Sequence, residues 1–252
     1  MNWSGVAYEC LFIELGPIIW DDDSVLHIGF IGGDDWQKDQ VKKFSVEWTK
    51  YTNIGFNFDT TSRGTSSYDI LISFGKDGGS WSQLGTISHD EVRAGNASMN
   101  FGWITPDHRE DVIRQTILHE FGHSLGLTHM HQNPWRVGFP DVAFDEEACK
   151  KHFKSFDNWD EDTPQHNVLK EFTLNYSKLS DQDMKTRMIN LVLRPFDPHS
   201  IMMYQFDANL AEGGKGGTLQ NWELSARDKY CIQNAYPWRY QPEHDLTTSR
   251  QW

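Results

Sequence analysis

The sequence predicts an α+β fold, and three observations carry the prediction. Its first half alternates strand-like and helix-like segments, a capped amphipathic helix follows, and the chain beyond His129 turns irregular until one last helical segment.

Val25–Ile31 (VLHIGFI) alternates as a strand does and is closed by Gly32-Gly33. Over Asp35–Tyr51, the apolar Val41, Phe44, Val46 and Trp48 predict a helix, with Asp34 or Asp35 as its N-cap. Ile54–Phe58 and Asp69–Phe74 read as short strands separated by the turn-rich TTSRGTSS, and Trp81–Ile87 and Ala97–Trp103 as a fourth and a fifth. Thr105-Pro106-Asp107 reads as a helix start, with a capping hydroxyl and proline in the first helical position. Ile113, Ile117, Phe121 and Leu125 then recur four apart, within about 120° of arc, and form one stripe to bury. Gly126 ends that helix, as a residue able to take positive φ. Residues 130–200 are rich in Asp, Asn, His and Pro and carry only weak helical stretches, and 156–167 (FDNWDEDTPQHN) read as a loop. Residues 210–219, with EGGKGG, read as a flexible connector, and Glu223–Tyr236 as a closing helix stopped by Pro237.

The 252 residues suit one large domain or one domain in two lobes. A formal net charge of −13 repels phosphate backbones, so nucleic acid is not an expected partner. No apolar run approaches the roughly 20 residues that span a bilayer. Cys10–Trp20 is apolar, but Glu14 interrupts it and no basic residue precedes it, so it is not a recognisable signal peptide. Three cysteines, Cys10, Cys149 and Cys231, allow one disulfide at most and leave pairing and redox compartment open.

The chemistry concentrates in His119-Glu120-Phe121-Gly122-His123. Residues four apart stack on one helix face, about 5–6 Å between Cβ atoms, so two imidazoles can reach one metal ion. By the same geometry these histidines point away from the Ile113–Leu125 stripe, toward a cleft. Glu120 lies off their line and is placed to hydrogen-bond a water on the metal. Catalytic zinc takes three protein ligands and keeps one position open. Gly126 turns the chain so that His129 can return as the third. The pattern is H-E-x-x-H-x-x-G-x-x-H, inside a capped amphipathic helix ended by glycine.

With that motif and Ser200-Ile201-Met202-Met203-Tyr204 downstream, the chain resembles the metzincin zinc metallopeptidases, and within them the astacin-like branch. The resemblance runs from about Val25 to Pro237 and includes DILISF, GGSWSQLG, SMNFGW and the terminal Tyr236-Pro237. It implies a two-lobed catalytic domain over 25–252, with 25–129 as upper lobe, 130–252 as lower lobe and 1–24 as an N-terminal segment. The upper lobe would hold a twisted five-stranded mixed sheet with an antiparallel edge strand, here Trp81–Ile87, to which a protein or peptide substrate adds by main-chain bonds. The lower lobe would be irregular, with a C-terminal helix. The resemblance also implies one catalytic zinc ion on His119, His123 and His129, a methionine turn at Met202 beneath it, and Tyr204 at the metal. Secretion follows from the resemblance alone, and a monomer is expected. Astacins carry Glu after the third histidine, which pairs with an amino terminus freed by propeptide removal. Met130 stands there in this chain, and the usual four cysteines are missing.

The function so implied is a zinc metalloendopeptidase that hydrolyses internal peptide bonds. Glu120 would take a proton from the zinc-bound water and Tyr204 would donate to the oxyanion. A catalytically silent zinc-containing binding module is the alternative, and a zinc hydrolase of a small amide is a third reading. A silent relative is expected to have lost the glutamate or a ligand; a small-molecule hydrolase would show a closed pocket instead of a groove along a strand. His131, two residues from a ligand, has a possible supporting role at the metal, while His27, His89, His108, His152, His166, His199 and His244 read as surface or packing residues. Asp21-Asp22-Asp23 and Asp157, Asp160, Glu161 and Asp162 lack EF-hand spacing and read more simply as solvated acidic loops than as calcium sites.

Overall fold

The computed structural model describes residues 18–58, 64–76, 79–132, 145–156, 196–210 and 217–238. Residues 157–167 of the expected loop, residues 211–216 of the connector, Cys10, His166 and His244 lie outside these. Five strands form one mixed sheet in the order β2-β1-β3-β5-β4: β1 (Val25–Ile31), β2 (Gly55–Asn57), β3 (Ile70–Ser73), β4 (Ser80–Ser82) and β5 (Met99–Phe101). β1 pairs parallel with β2 and β3, β3 pairs parallel with β5, and β4 alone runs antiparallel, with Trp81 opposite Asn100. The expected α+β architecture with an antiparallel edge is therefore the observed one.

Around the sheet lie α1 (Asp35–Ser45), α2 (Ser88–Arg93) and α3 (Glu110–Ser124). Helix α1 starts on Asp34, whose carboxylate accepts the Gln37 N–H while the Gln37 side chain accepts from the Asp34 N–H, a reciprocal capping box. The helix expected through Tyr51 stops at Ser45, and Trp48–Lys50 continues only as a single 3-10 turn. That turn buries Trp48, whose indole N–H donates 3.0 Å to Leu118 O of α3.

Two further expectations need correction. The segment Trp81–Ile87 is a strand only to Ser82, because Gly85 takes φ +47° where the Ile18 carbonyl lies 1.6 Å from any Cβ. The chain turns there and enters α2, a helix the sequence did not announce. Helix α3 begins at Glu110, after Thr105-Pro106: His108 N–H bonds to Thr105 O at 3.1 Å, so the Pro segment is a separate turn and Arg109 stands at the N-cap without a side-chain capping bond.

Ile28, Ile70, Ile72, Met99 and Phe101 from the sheet join Val41, Phe44, Ile117 and Phe121 in the main core, which Ile18, Ile19 and Trp20 also enter. Leu71 faces the other way, against Tyr68 and Val92 of the α2 side. Burial on both faces explains why β3 reads as a continuous apolar run. Beyond α3 lie α4 (Glu146–Phe156), in a stretch expected to be only weakly helical, and α5 (Ala226–Ala235), shorter than the expected Glu223–Tyr236. Arg114 of α3 grips both Glu47 carboxylate oxygens at 2.7 Å and donates at 2.6 Å to Trp222 O, tying the end of α1 to the approach to α5. Cys149 and Cys231 are buried in different clusters and are not bonded to each other. Among the described residues no helix is long and apolar enough to cross a membrane.

Candidate metal centre

Helix α3 carries the site, and its C-terminal end is held by borrowed donors. Gly126, at φ +94°, closes it: Gly126 N–H reaches His123 O at 2.8 Å and Leu127 N–H reaches Gly122 O at 2.9 Å, the paired bonds of a Schellman motif. The leftover carbonyls take side-chain donors from distant chain, Trp20 Nε1–H to Ser124 O at 2.7 Å and Tyr236 O–H to Leu125 O at 2.8 Å. Residues 116–124 are buried all round, and Ile201, Met202 and Tyr204 pack against the histidine side of the helix, where His129 and Tyr204 stay partly exposed.

One ligand atom from each of His119, His123 and His129 lies within 4.8 Å of the others, and among the described residues this is the one group of three or more such side chains arranged for a metal. Asp21-Asp22-Asp23 makes no such group. Each ring is oriented through Nδ1. His119 Nδ1 meets Ile201 O at 2.9 Å, His123 Nδ1 meets Leu127 O at 2.8 Å, and His129 Nδ1 meets Gln132 Oε1 at 3.1 Å. Those oxygens only accept, so Nδ1 carries the proton and Nε2 keeps its lone pair. The His123 and His129 Nε2 atoms then face each other at 3.0 Å, and His119 Nε2 is buried with no hydrogen-bond partner among the described residues. Three converging lone pairs repel unless a cation sits among them. The donor set fits zinc, which takes imidazole nitrogen readily.

Burial also sets the charge states. Desolvation lowers the His119 pKa to about 4 and that of His123 to about 3, with the neighbouring histidine adding to the second, and it takes His129 well down too. Neutral imidazoles are what a metal requires. Burial pushes the Glu120 carboxyl up to about 8, and a cation at the histidines would pull it down again.

The floor is the turn at Ser200–Met203, closed by Met203 N–H to Ser200 O at 3.1 Å. Met202 is buried against Gly122, where a Cβ would meet its sulfur at 2.4 Å, so the glycine inside the motif makes room for the methionine below. Met130 N–H bonds to Met202 O at 2.9 Å, joining the His129 loop to the same turn. The Met130 side chain packs against two apolar clusters and offers no charge for an ion pair. Tyr204 lies at the site, its ring centroid 5.3 Å from His119 and 4.3 Å from His129. His131 is buried with its ring 5.0 Å from His129 and 4.9 Å from Tyr204, so it too is drawn in. Of the remaining histidines, His89 pairs with Asp69 at 2.8 Å and His108 with Thr105 at 3.0 Å, away from the metal group.

Sequence reasoning missed two residues. Asp228, 3% exposed, accepts from Ser200 Oγ at 2.6 Å, Ile201 N at 2.8 Å and Ser225 N at 2.9 Å. It is the third residue of α5 and caps that helix while holding the turn whose carbonyl orients His119. The S-x-x-D spacing of Ser225 and Asp228 signals the cap; nothing local signals the reach to Ser200. The second is Gln132, on His129.

No protein-family model matches the chain, and no curated protein matches it. Among solved structures, two of myroilysin align with it at TM-scores of 0.71 and 0.61 and identities of 27% and 28%. Each covers 88% of this chain, and the matched part is 97% and 87% of the myroilysin chains. High choriolytic enzyme 1, a hatching enzyme zinc-protease from Oryzias latipes (medaka fish), shares the fold at a TM-score of 0.52 and 16% identity, over 87% of this chain and 94% of its own.

Proposed function

We propose that this chain, an astacin-like metzincin in its fold and its three-histidine site, is a zinc-dependent endopeptidase that cleaves internal peptide bonds. The observation that carries the reading is the convergence of three Nε2 lone pairs beside a buried glutamate.

His119, His123 and His129 would hold the zinc ion. Bound there, zinc supplies Lewis acidity, lowering the pKa of a water towards about 7 and polarising a carbonyl. Glu120 accepts that water's proton and hands it to the leaving amine. Its buried position supports this shuttle, since a carboxyl short of solvent takes a proton readily. The Tyr204 phenol, beside His119 and His129, donates to the developing oxyanion. Met202 has no chemical step and supports the ligands from below. The substrate would lie along β4, the antiparallel edge strand of the sheet among the described residues, which packs beside α3. In this reading residues 25–252 act as one catalytic domain, and as a monomer.

The test compares the parent with Glu120→Ala, both loaded with one zinc. The variant is expected to keep its zinc and to lose casein hydrolysis by about 10²–10⁴-fold. Equal digestion by both proteins sinks the assignment of Glu120, and no digestion by the zinc-loaded parent favours a silent binding module.

A further inference from the structure

The three histidines are not held alike. His119 and His123 stand on α3, and their Nδ1 protons go to main-chain carbonyls, Ile201 O and Leu127 O, which no substitution at those positions removes. His129 stands beyond the helix, is partly exposed, and its Nδ1 goes to a side chain, Gln132 Oε1 at 3.1 Å. Gln132 is brought back to its ligand by a turn closed through Gln132 N–H to His129 O at 3.2 Å, and it is only 4% exposed.

We propose that Gln132 is a positioning residue for the metal, fixing the ring and tautomer of His129 and thereby setting how tightly the site holds zinc. This rests on the zinc reading given above. With Nδ1–H donated to the amide oxygen, the lone pair of His129 is on Nε2, the atom that faces His123. Without that acceptor the imidazole can rotate or move its proton to Nε2, and either change removes the third ligand. Hydrogen-bond partners of ligating histidines typically change metal affinity by about 10–100-fold when lost. The glutamine is also the one orienting group among the three that a point substitution can delete while leaving every ligand and the backbone in place.

Zinc affinity of the parent, Gln132→Leu and Gln132→Glu is measured by competition with a fluorescent chelator, beside thermal unfolding of each metal-free protein. Gln132→Leu, similar in size but with no acceptor, is expected to bind zinc about 10–100-fold more weakly while its metal-free form unfolds with the parent. Gln132→Glu restores an acceptor and is expected to bind at least as tightly as the parent. Zinc affinity of Gln132→Leu within twofold of the parent overturns the proposal. So does a glutamate variant as weak as the leucine one, since the loss would then come from packing and not from the missing acceptor. If Gln132→Leu does not fold, Gln132→Met replaces it with the same two expected and overturning results. A parent that binds no zinc overturns the metal reading itself, an outcome distinct from parent and variants binding alike.

Discussion

Residues 25–126 and residues 196–236 meet at the same three-histidine site but are built differently. The first region is a sheet with helices on both faces, and its core is apolar side chains at strand and helix spacing, Ile28, Ile70, Ile72, Ile117 and Phe121 among them. The second has no strand among its described residues and is organised by buried polar groups. Asp228 gathers Ser200, Ile201 and Ser225, while the Asn221 amide donates to Pro198 O and Ser200 O, both at 2.9 Å. The apolar region supplies a rigid platform with two histidines. The polar region aims one of them, through Ile201 O, and fills the space under the motif with Met202. Stability and metal geometry should therefore separate in the first region and move together in the second.

The largest expected effect is in the sheet. Ile72→Ala, at a fully buried position, should lower the unfolding free energy by about 2–5 kcal/mol in urea titrations while the folded protein keeps its zinc affinity within twofold. A parallel fall in zinc affinity would break the contrast. Next comes Asp228→Ala, which leaves buried donors unsatisfied and should cost about 3 kcal/mol. Here zinc affinity should drop too, because the Ile201 carbonyl loses its anchor; unchanged zinc binding would place Asp228 in the helix cap alone. Gly122→Ala pushes a methyl into Met202 and should cost about 1–3 kcal/mol, relieved in part by pairing it with Met202→Ala. Strict additivity of the two in a double-mutant cycle would deny the contact. The smallest effect is Gly126→Ala, about 1–2 kcal/mol for a side chain at φ +94°, read as a modest fall in thermal midpoint.

The same contrast decides what the sequence made legible. His119, Glu120, His123 and the stop at Gly126 could be read because helical geometry alone puts residues four apart on one face. β1 and β3 were readable from apolar runs and turn residues, whereas the antiparallel edge followed only from the resemblance to metzincins. The extent of β4 was not, because Gly85 yields to a tertiary partner, the Ile18 carbonyl, 67 positions away in the chain. Helix α2 was missed for want of periodicity: in SHDEVR only Val92 is apolar and buried. Asp228 and Gln132 act by reaching out of their own segments, and a polar residue with a distant partner leaves no pattern in neighbouring positions. Met202 was found only because the motif upstream gave it a context, and its fit against Gly122 explains why the two belong together.

In the proposed reading His119, His123 and His129 bind one zinc ion through Nε2. X-ray absorption on the zinc-loaded protein, with metal content measured on the same sample, tests it directly. One zinc per chain is expected, with three imidazole nitrogens at about 2.0–2.1 Å, at least one further light-atom ligand, and an imidazole signal reduced in His129→Ala. Sulfur in the zinc shell, or an imidazole signal that His129→Ala leaves untouched, would contradict it.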